Sequence, residues 1–206
     1  MELKSAIERR TSVRSFTLEA VDVNDLKEMV RRAGLAPSVN NSQAWKFIAI
    51  TNRKLLKEMA HNVSDALGEL PSSDPDDPNR TTLSRVEWFS TFFENAPAVL
   101  VMLMKSYESV IEKGTSISHD EINRLRNYPD VQSAGAAIQN ILLTAVELNY
   151  GACWMSAPLI ARERLEKILN IKNPWYLMTF VAVGRPFNFP APKNKRSVDE
   201  IFEWIT

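Results

Sequence analysis

The sequence predicts an α+β or three-layer domain, and three observations carry that expectation. Helical and strand periods interleave along the chain without the strict βαβ rhythm of a parallel sheet. Residues 97–104 (PAVLVMLM) are apolar throughout and of strand length. Residues 134–146 (AGAAIQNILLTAV) are apolar on almost every side of a helix, which requires burial on more than one side. A chain of 206 residues with 45% hydrophobic content suits one domain with a real core, so residues 1–206 are read as a single unit.

The elements follow in order. Leu3, Ala6 and Ile7 lie at helical spacing in a short opening helix that ends near residues 9–11. Asp22 caps a second helix, with Asp25 three residues on as in a capping box, and Leu26, Met29, Val30 and Ala33 form its buried stripe before Gly34. A polar loop at 36–44 leads into a strand at 45–51. Residues 52–67 return to a helical period with Leu55, Leu56, Met59 and Val63. Residues 70–82 (LPSSDPDDPNRTT) hold three prolines and three aspartates and read as a solvated loop. A helix at 83–95 precedes the apolar strand, and 107–126 is mixed and polar. The long helix 130–150 is expected to stop at Gly151 as a left-handed cap. Strands at 152–156 and 177–184 flank a helix near 161–169.

Composition narrows the function. The 25 basic and 25 acidic residues cancel, so the basic excess of a nucleic-acid binder is missing. No apolar run approaches the ~18 residues of a membrane span. The stretch MELKSAIERR has no apolar h-region, and the single cysteine fits a reducing compartment, so a cytoplasmic location is expected. GxGxxG, GxxxxGK[ST], GxSxG and HExxH are all missing. With two histidines and one cysteine, no metal site is expected; His61 and His119 lie in hydrophilic stretches and read as exposed and incidental.

Three stretches remain that can do chemistry. Residues 9–14 (RRTSVR) place three guanidinium groups and two hydroxyls within six positions, a donor set that matches phosphate oxygens. A solvated helix end would look the same. Residues 37–45 (PSVNNSQAW) carry carboxamides at Asn40, Asn41 and Gln43 that suit the donor–acceptor edge of a flavin or nucleobase, although Pro, Ser and Asn also dominate ordinary turns. Residues 151–158 (GACWMSAP) offer small residues that let a flat ligand approach the backbone. Within them Cys153 reads as a small buried hydrophobe with no partner histidine, and Trp154 as a core residue.

Taken together, the segments IERRTSVRSF (7–16), LAPSVNNSQAWKFI (35–48), DVQSAGAAIQNILLTAVELNYGACW (130–154), LMTFVAVGRP (177–186) and KNKRSVDEIF (193–202) resemble, in order and spacing, the FMN-dependent nitroreductase family. The resemblance implies a three-layer α/β/α nitroreductase-like fold and an intertwined homodimer with FMN sites at the subunit interface. It implies that Arg10, Thr11, Ser12 and Arg14 contact the phosphate, ribityl chain and ring. Pro37, Ser38, Val39, Asn40 and Asn41 would reach the flavin from the other subunit. Ser156 and Ala157 would lie near N5, and Lys195 and Arg196 would complete the phosphate cage. The strand-like stretch 198–205 would reach across to the partner. Where the family often has Gln-Pro-Trp this chain has Gln43-Ala44-Trp45, and Met155-Ser156-Ala157 stand where many members have glycines; both changes bear on the substrate space.

The implied activity is hydride transfer from NAD(P)H through FMN to electron-poor acceptors such as nitroaromatics, quinones or enones, the two substrates using one space in turn. The residues agree with this in one respect: they show no acid–base dyad and no nucleophile, so no side chain is expected to be catalytic and the chemistry must belong to a cofactor. Two alternatives stay open. One keeps the fold and changes the flavin chemistry, to flavin fragmentation or reductive dehalogenation. The other is an FMN storage or sensing module without turnover.

Overall fold

The structure, a computed structural model, describes residues 1–70, 80–191 and 193–206. In chain order it forms α1 (Leu3–Arg9), α2 (Val23–Ala33), β1 (Trp45–Ile50), α3 (Arg53–Gly68), α4 (Arg80–Thr91), β2 (Ala98–Met104), α5 (His119–Leu125), α6 (Pro129–Glu147), β3 (Gly151–Met155), α7 (Arg162–Ile168) and β4 (Tyr176–Gly184). The strands make one sheet in the order β1-β2-β4-β3, antiparallel at every pairing.

The alternation of side chains along the central strands divides the core in two. Ala98, Leu100, Met102 and Met104 of β2, with Val181 and Val183 of β4, face Leu26, Met29 and Ala33 of α2 and Ala134, Ala137, Ile138 and Ile141 of α6. Val99, Val101 and Leu103, with Phe180 and Ala182, face Leu56, Met59 and Val63 of α3, Leu165 of α7, and Phe92 and Phe93. The layers are therefore helix, sheet and helix. The continuous apolar run of β2 is explained by its central place, since each of its seven residues is buried. Among the described residues no helix is long and apolar enough to cross a membrane.

Helix ends follow local chemistry, with corrections to the expectations. Asp22 caps α2 by accepting from the Asn24 N–H at 2.7 Å, but Asp25 does not close the box. Its carboxylate accepts instead from the Tyr150 hydroxyl at 2.7 Å. Gly151 is not the left-handed cap of α6: Asn149 takes that conformation at φ 61°, and Gly151 is already the first residue of β3. An asparagine tolerates this region because its short polar side chain strains it least. Of the loop expected at 70–82, residues 71–79 lie outside the described residues and Arg80 is already helical. Residues 198–205 do not form a strand. They contain one 3-10 turn at Val198–Glu200, closed by a Ser197–Glu200 capping box, and Val198, Ile201, Phe202, Trp204 and Ile205 are exposed. No strand of the described chain pairs with them, and an unpaired strand has no ladder to hold it.

In α6 the small residues Ala134, Ala137 and Ala145 are buried, while Gly135, Ala136, Leu143 and Val146 are half-buried and Val131 is exposed. One chain thus covers α6 on most of its circumference and leaves open a strip that also carries the exposed Gln132 and Gln139.

Candidate functional site

At the end of the sheet where β3 begins, the chain leaves α1 and builds a cavity of ≈ 1010 Å³. Arg10 ends α1 with extended backbone (φ −59°, ψ 119°), its N–H still bonded to the Ala6 carbonyl. Residues 12–13 then run along the open edge of β3, where the Val13 N–H donates to the Ala152 carbonyl at 3.1 Å. Extended backbone alternates its side chains, so the burial of Val13 (2% exposed) turns Ser12 and Arg14 the other way. Farther on, the Thr17 N–H donates to the Arg185 carbonyl and the Phe187 N–H to the Ser15 carbonyl, which ties the segment to the end of β4.

Gly151 makes this approach possible. A Cβ there would meet the side chain of Val13 at 2.7 Å. The glycine that reads in sequence as a helix stop is therefore required by close backbone packing at the site.

The cavity is lined by residues 8–15, by Tyr150 and Gly151, by Trp88 and Phe89 of α4, and by Phe189, Lys193 and Lys195. Four of the residues expected at the phosphate, Arg10, Thr11, Ser12 and Arg14, line it together and are half-buried. Arg9 also lines it but is exposed, with Nη1 donating to Met1 Sδ. Among the described residues neither Arg10 nor Arg14 forms an ion pair with a carboxylate. Arg14 instead lies 5.4 Å from the Phe89 ring centroid, and the Arg85 guanidinium lies 5.8 Å from the same ring. Half-buried guanidinium groups without counter-ions among the described residues, beside two hydroxyls and a lysine, offer a donor set that matches anionic oxygens. Of the basic tail, Lys195 lines the cavity and Arg196 does not.

Beneath the site lies Cys153. Burial pushes its thiol up, against the pull of the Arg14 and Arg10 charges and the Ser12 hydrogen bond, so it is a buried apolar group and not a nucleophile. Trp154 is not a core residue: it is half exposed at the sheet edge, with its indole N–H donating to Thr179 Oγ1 at 2.8 Å.

Of the other expected residues, Ser156 and Ala157 lie at the opposite end of β3, about 13 Å away at the ~3.3 Å rise of a strand, and residues 37–41 lead into β1 at the far edge of the sheet. Ser156 and Ala157 follow β3 and are exposed. Residues 37–44 form a loop with Asn40, Asn41 and Gln43 in the left-handed region. It is tied to the body by the Val39 N–H donating to Ser133 Oγ at 3.0 Å and the Asn40 side-chain amide donating to the Glu108 carbonyl at 3.1 Å. Ser38 Oγ accepts from the Gln43 N–H within the loop, and Pro37, Asn40 and Asn41 are exposed. Pro37, Ser38, Val39, Asn40, Asn41, Ser156 and Ala157 do not line the cavity of their own chain.

Some residues at the site had no sequence signal. Trp88, Phe89 and Phe189 form an aromatic wall, and Tyr150 is fixed by its bond to Asp25 with Arg185 4.1 Å above its ring. His119, expected to be incidental, is partly buried in a polar network, whereas His61 is exposed beside Asp65. Among the described residues no group of His, Cys, Asp and Glu is placed to hold a metal ion.

Comparison with known proteins adds the following. The model of the Nitroreductase family matches residues 7–185. A protein of Archaeoglobus fulgidus named as a putative NADH dehydrogenase/NAD(P)H nitroreductase is 25% identical over 190 residues, covering 90% of this chain and 86% of that one. A BluB-like flavoprotein from Clostridium difficile 630 superimposes with a TM-score of 0.88 at 30% identity over 100% of both chains. A nitroreductase with bound FMN from Desulfitobacterium hafniense DCB-2 shares the fold, with a TM-score of 0.74 at 21% identity over 100% of both chains.

Proposed function

The chain belongs to the nitroreductase family, and from that premise we propose that it is an FMN-dependent oxidoreductase that takes hydride from NAD(P)H and reduces small electron-poor acceptors such as nitroaromatics, quinones or enones. The observation that carries this reading is the cavity in which Arg10 and Arg14, free of carboxylate partners among the described residues, converge with Thr11, Ser12 and Lys195. That donor set fits the phosphate of FMN. The chemistry supplied by the bound cofactor is hydride acceptance and release at N5.

The protein's own part is to bind and orient. Arg10 and Arg14 offer planar forks to phosphate oxygens, with the hydroxyls of Thr11 and Ser12 beside them and Lys195 closing the cage; Arg196, one position on, adds long-range charge. The exposed backbone at Ser156 and Ala157 is open to the N5 edge of a ring. Pro37, Ser38, Val39, Asn40 and Asn41 precede β1, at the opposite edge of the sheet from β3, and do not line the cavity of their own chain, which supports their use at the site of a second copy. The exposed apolar tail, with Val198, Ile201, Phe202, Trp204 and Ile205, supports the same homodimer, because obligate interfaces bury such surface as a core does. No side chain is assigned proton transfer.

The test is the absorption spectrum of the purified protein under anaerobic conditions. A flavin spectrum that bleaches with NADH or NADPH and returns with a nitroaromatic supports the reading. Flavin left oxidised by both nicotinamides overturns it. A second reading keeps the fold and directs the reduced flavin to oxygen, with fragmentation of the cofactor. It is favoured by the chain's 30% identity to a flavoprotein that is not described as a nitroreductase. Tracking flavin products after reduced protein meets oxygen separates the two.

A further inference from the structure

The loop at 37–44 is held in a strained shape by few ties. Asn40, Asn41 and Gln43 all have positive φ, a conformation that persists only when the surroundings enforce it. One of the ties is the Glu108 carbonyl, which accepts from the Asn40 side chain at 3.1 Å. Glu108 follows Tyr107, and Tyr107 is the end of a chain of polar groups with no other role in the molecule.

That chain has one direction. The Tyr107 hydroxyl donates to Asn123 Oδ1 at 2.9 Å, and both residues are buried, at 3% and 7% exposed. The other end of the Asn123 amide, Nδ2, faces His119 Nε2 at 3.2 Å. His119 Nδ1 lies 2.5 Å from Glu112 Oε1. A carboxylate only accepts, so in the neutral ring the hydrogen is on Nδ1 and Nε2 has the lone pair that Asn123 needs. The neutral ring thereby fixes which way the amide points, and the amide seats the tyrosine. The Tyr107 ring also packs edge-on against the imidazole, 5.0 Å between centroids.

Protonation breaks this order. A hydrogen on Nε2 would meet Nδ2, which has no lone pair to offer. The link then opens, or the amide turns over, so that Nδ2 donates to the Tyr107 oxygen and the tyrosine hydrogen is left without its buried acceptor. The groups facing this network are Glu112 from the turn before α5, and Tyr107, Arg126 and Asp130, whose charges act on the tyrosine.

We propose that Glu112, His119, Asn123 and Tyr107 form a relay that positions the 37–44 loop through the Asn40–Glu108 hydrogen bond, and that protonation of His119 loosens the loop and weakens flavin binding at the site it completes. These are positioning residues, not catalytic ones. The inference rests on the proposed function only in naming flavin as what the loop serves.

The test follows FMN affinity by fluorescence quenching from about pH 8 to about pH 5, the window in which imidazoles titrate, in the wild type, His119→Gln and Asn123→Leu. The expected result is a loss of about tenfold on acidification in the wild type, one buried hydrogen bond's worth. His119→Gln, which keeps an acceptor and cannot titrate there, should show a flat profile; Asn123→Leu should bind weakly at every pH. Matching profiles in the wild type and His119→Gln overturn the relay. Hydrogen exchange of residues 38–43, corrected for intrinsic rates, is read in the same proteins and needs no flavin. Faster loop exchange at acid pH in the wild type, suppressed in His119→Gln or reproduced at neutral pH by Tyr107→Phe, supports the relay; pH-independent loop exchange in the wild type overturns it. Wild-type protein that binds no FMN at any pH overturns the proposed function instead and leaves the exchange measurement to decide the relay.

Discussion

Val13 and Gly151 touch across the edge of the sheet so closely that any side chain on the glycine would overlap the valine, with Cβ to Cβ at 2.7 Å. Backbone meets backbone here because the Val13 N–H bonds to the Ala152 carbonyl. The packing that fixes the edge also sets the distance of Ser12 and Arg14 from the cavity.

Gly151→Ala should therefore cost about 1–3 kcal/mol of stability, as overpacking does, and should weaken flavin binding in parallel. Chemical denaturation and flavin titration measure the two. Val13→Gly in the same chain removes the overlapping Cβ together with its methyls and should restore part of both losses. No recovery in the double variant would mean that the contact is not the cause.

Arg14→Ala should release FMN, at a cost of a few kcal/mol for removing one partner of a buried charge pair. Arg14→Lys should recover only part of the affinity, since an ammonium does not reproduce the planar fork. Stoichiometric flavin in purified Arg14→Ala protein would sink the phosphate assignment.

Tyr176 predicts a loss of stability in alkali. Burial, then the nearby charge of Asp130 and the hydrogen bond to it, push its hydroxyl up to about 12 from the ordinary 10. The unfolded chain releases this proton first, so between those values the folded protein holds more protons and stability falls as pH rises. The contribution is complete below pH 10. Tyr176→Phe should show a shallower decline across that window in urea melts, and the wild type should show late phenolate absorbance. Ordinary titration of every tyrosine would contradict the assignment. Burial also raises Tyr107 and Tyr150, so the variant should flatten only part of the slope.

Asn149 makes the left-handed exit from α6 at φ 61°. Asn149→Ala should cost about 1 kcal/mol because a Cβ without a local hydrogen bond is strained there, while Asn149→Gly should be neutral within a few tenths. Thermal melts of the two variants, read side by side, check the order.

Most helices and strands could be read because their cause is local. The 3.6-residue stripe of α2, Leu26, Met29 and Ala33, and the seven-residue apolar run of β2 state their own burial. That residues 9–14 line one cavity was legible for a related reason: three arginines and two hydroxyls within six residues are a chemical statement before any folding. What could not be read depends on contacts between distant parts. Gly151 looks like a helix stop until Val13, far away in sequence, is placed against it. His119 looks like an exposed polar residue until α5 turns it toward Glu112. The aromatic wall of Trp88, Phe89 and Phe189 belongs to segments joined only in space, and no spacing announces it. The tail at 198–205 carries strand-forming residues, but a strand also needs a neighbour, and a single copy of the sequence does not state whether it has one.

The strip of chain at residues 12–13 also guards the sheet. β3 is the last strand in the order and would otherwise present a bare row of N–H and C=O groups, a template on which foreign chains can polymerise. The segment proposed to gather a phosphate is thus also a lid on a sticky edge. A cofactor held by Arg10 and Arg14 would steady that lid as well, and its supply during synthesis would then guard against clumping.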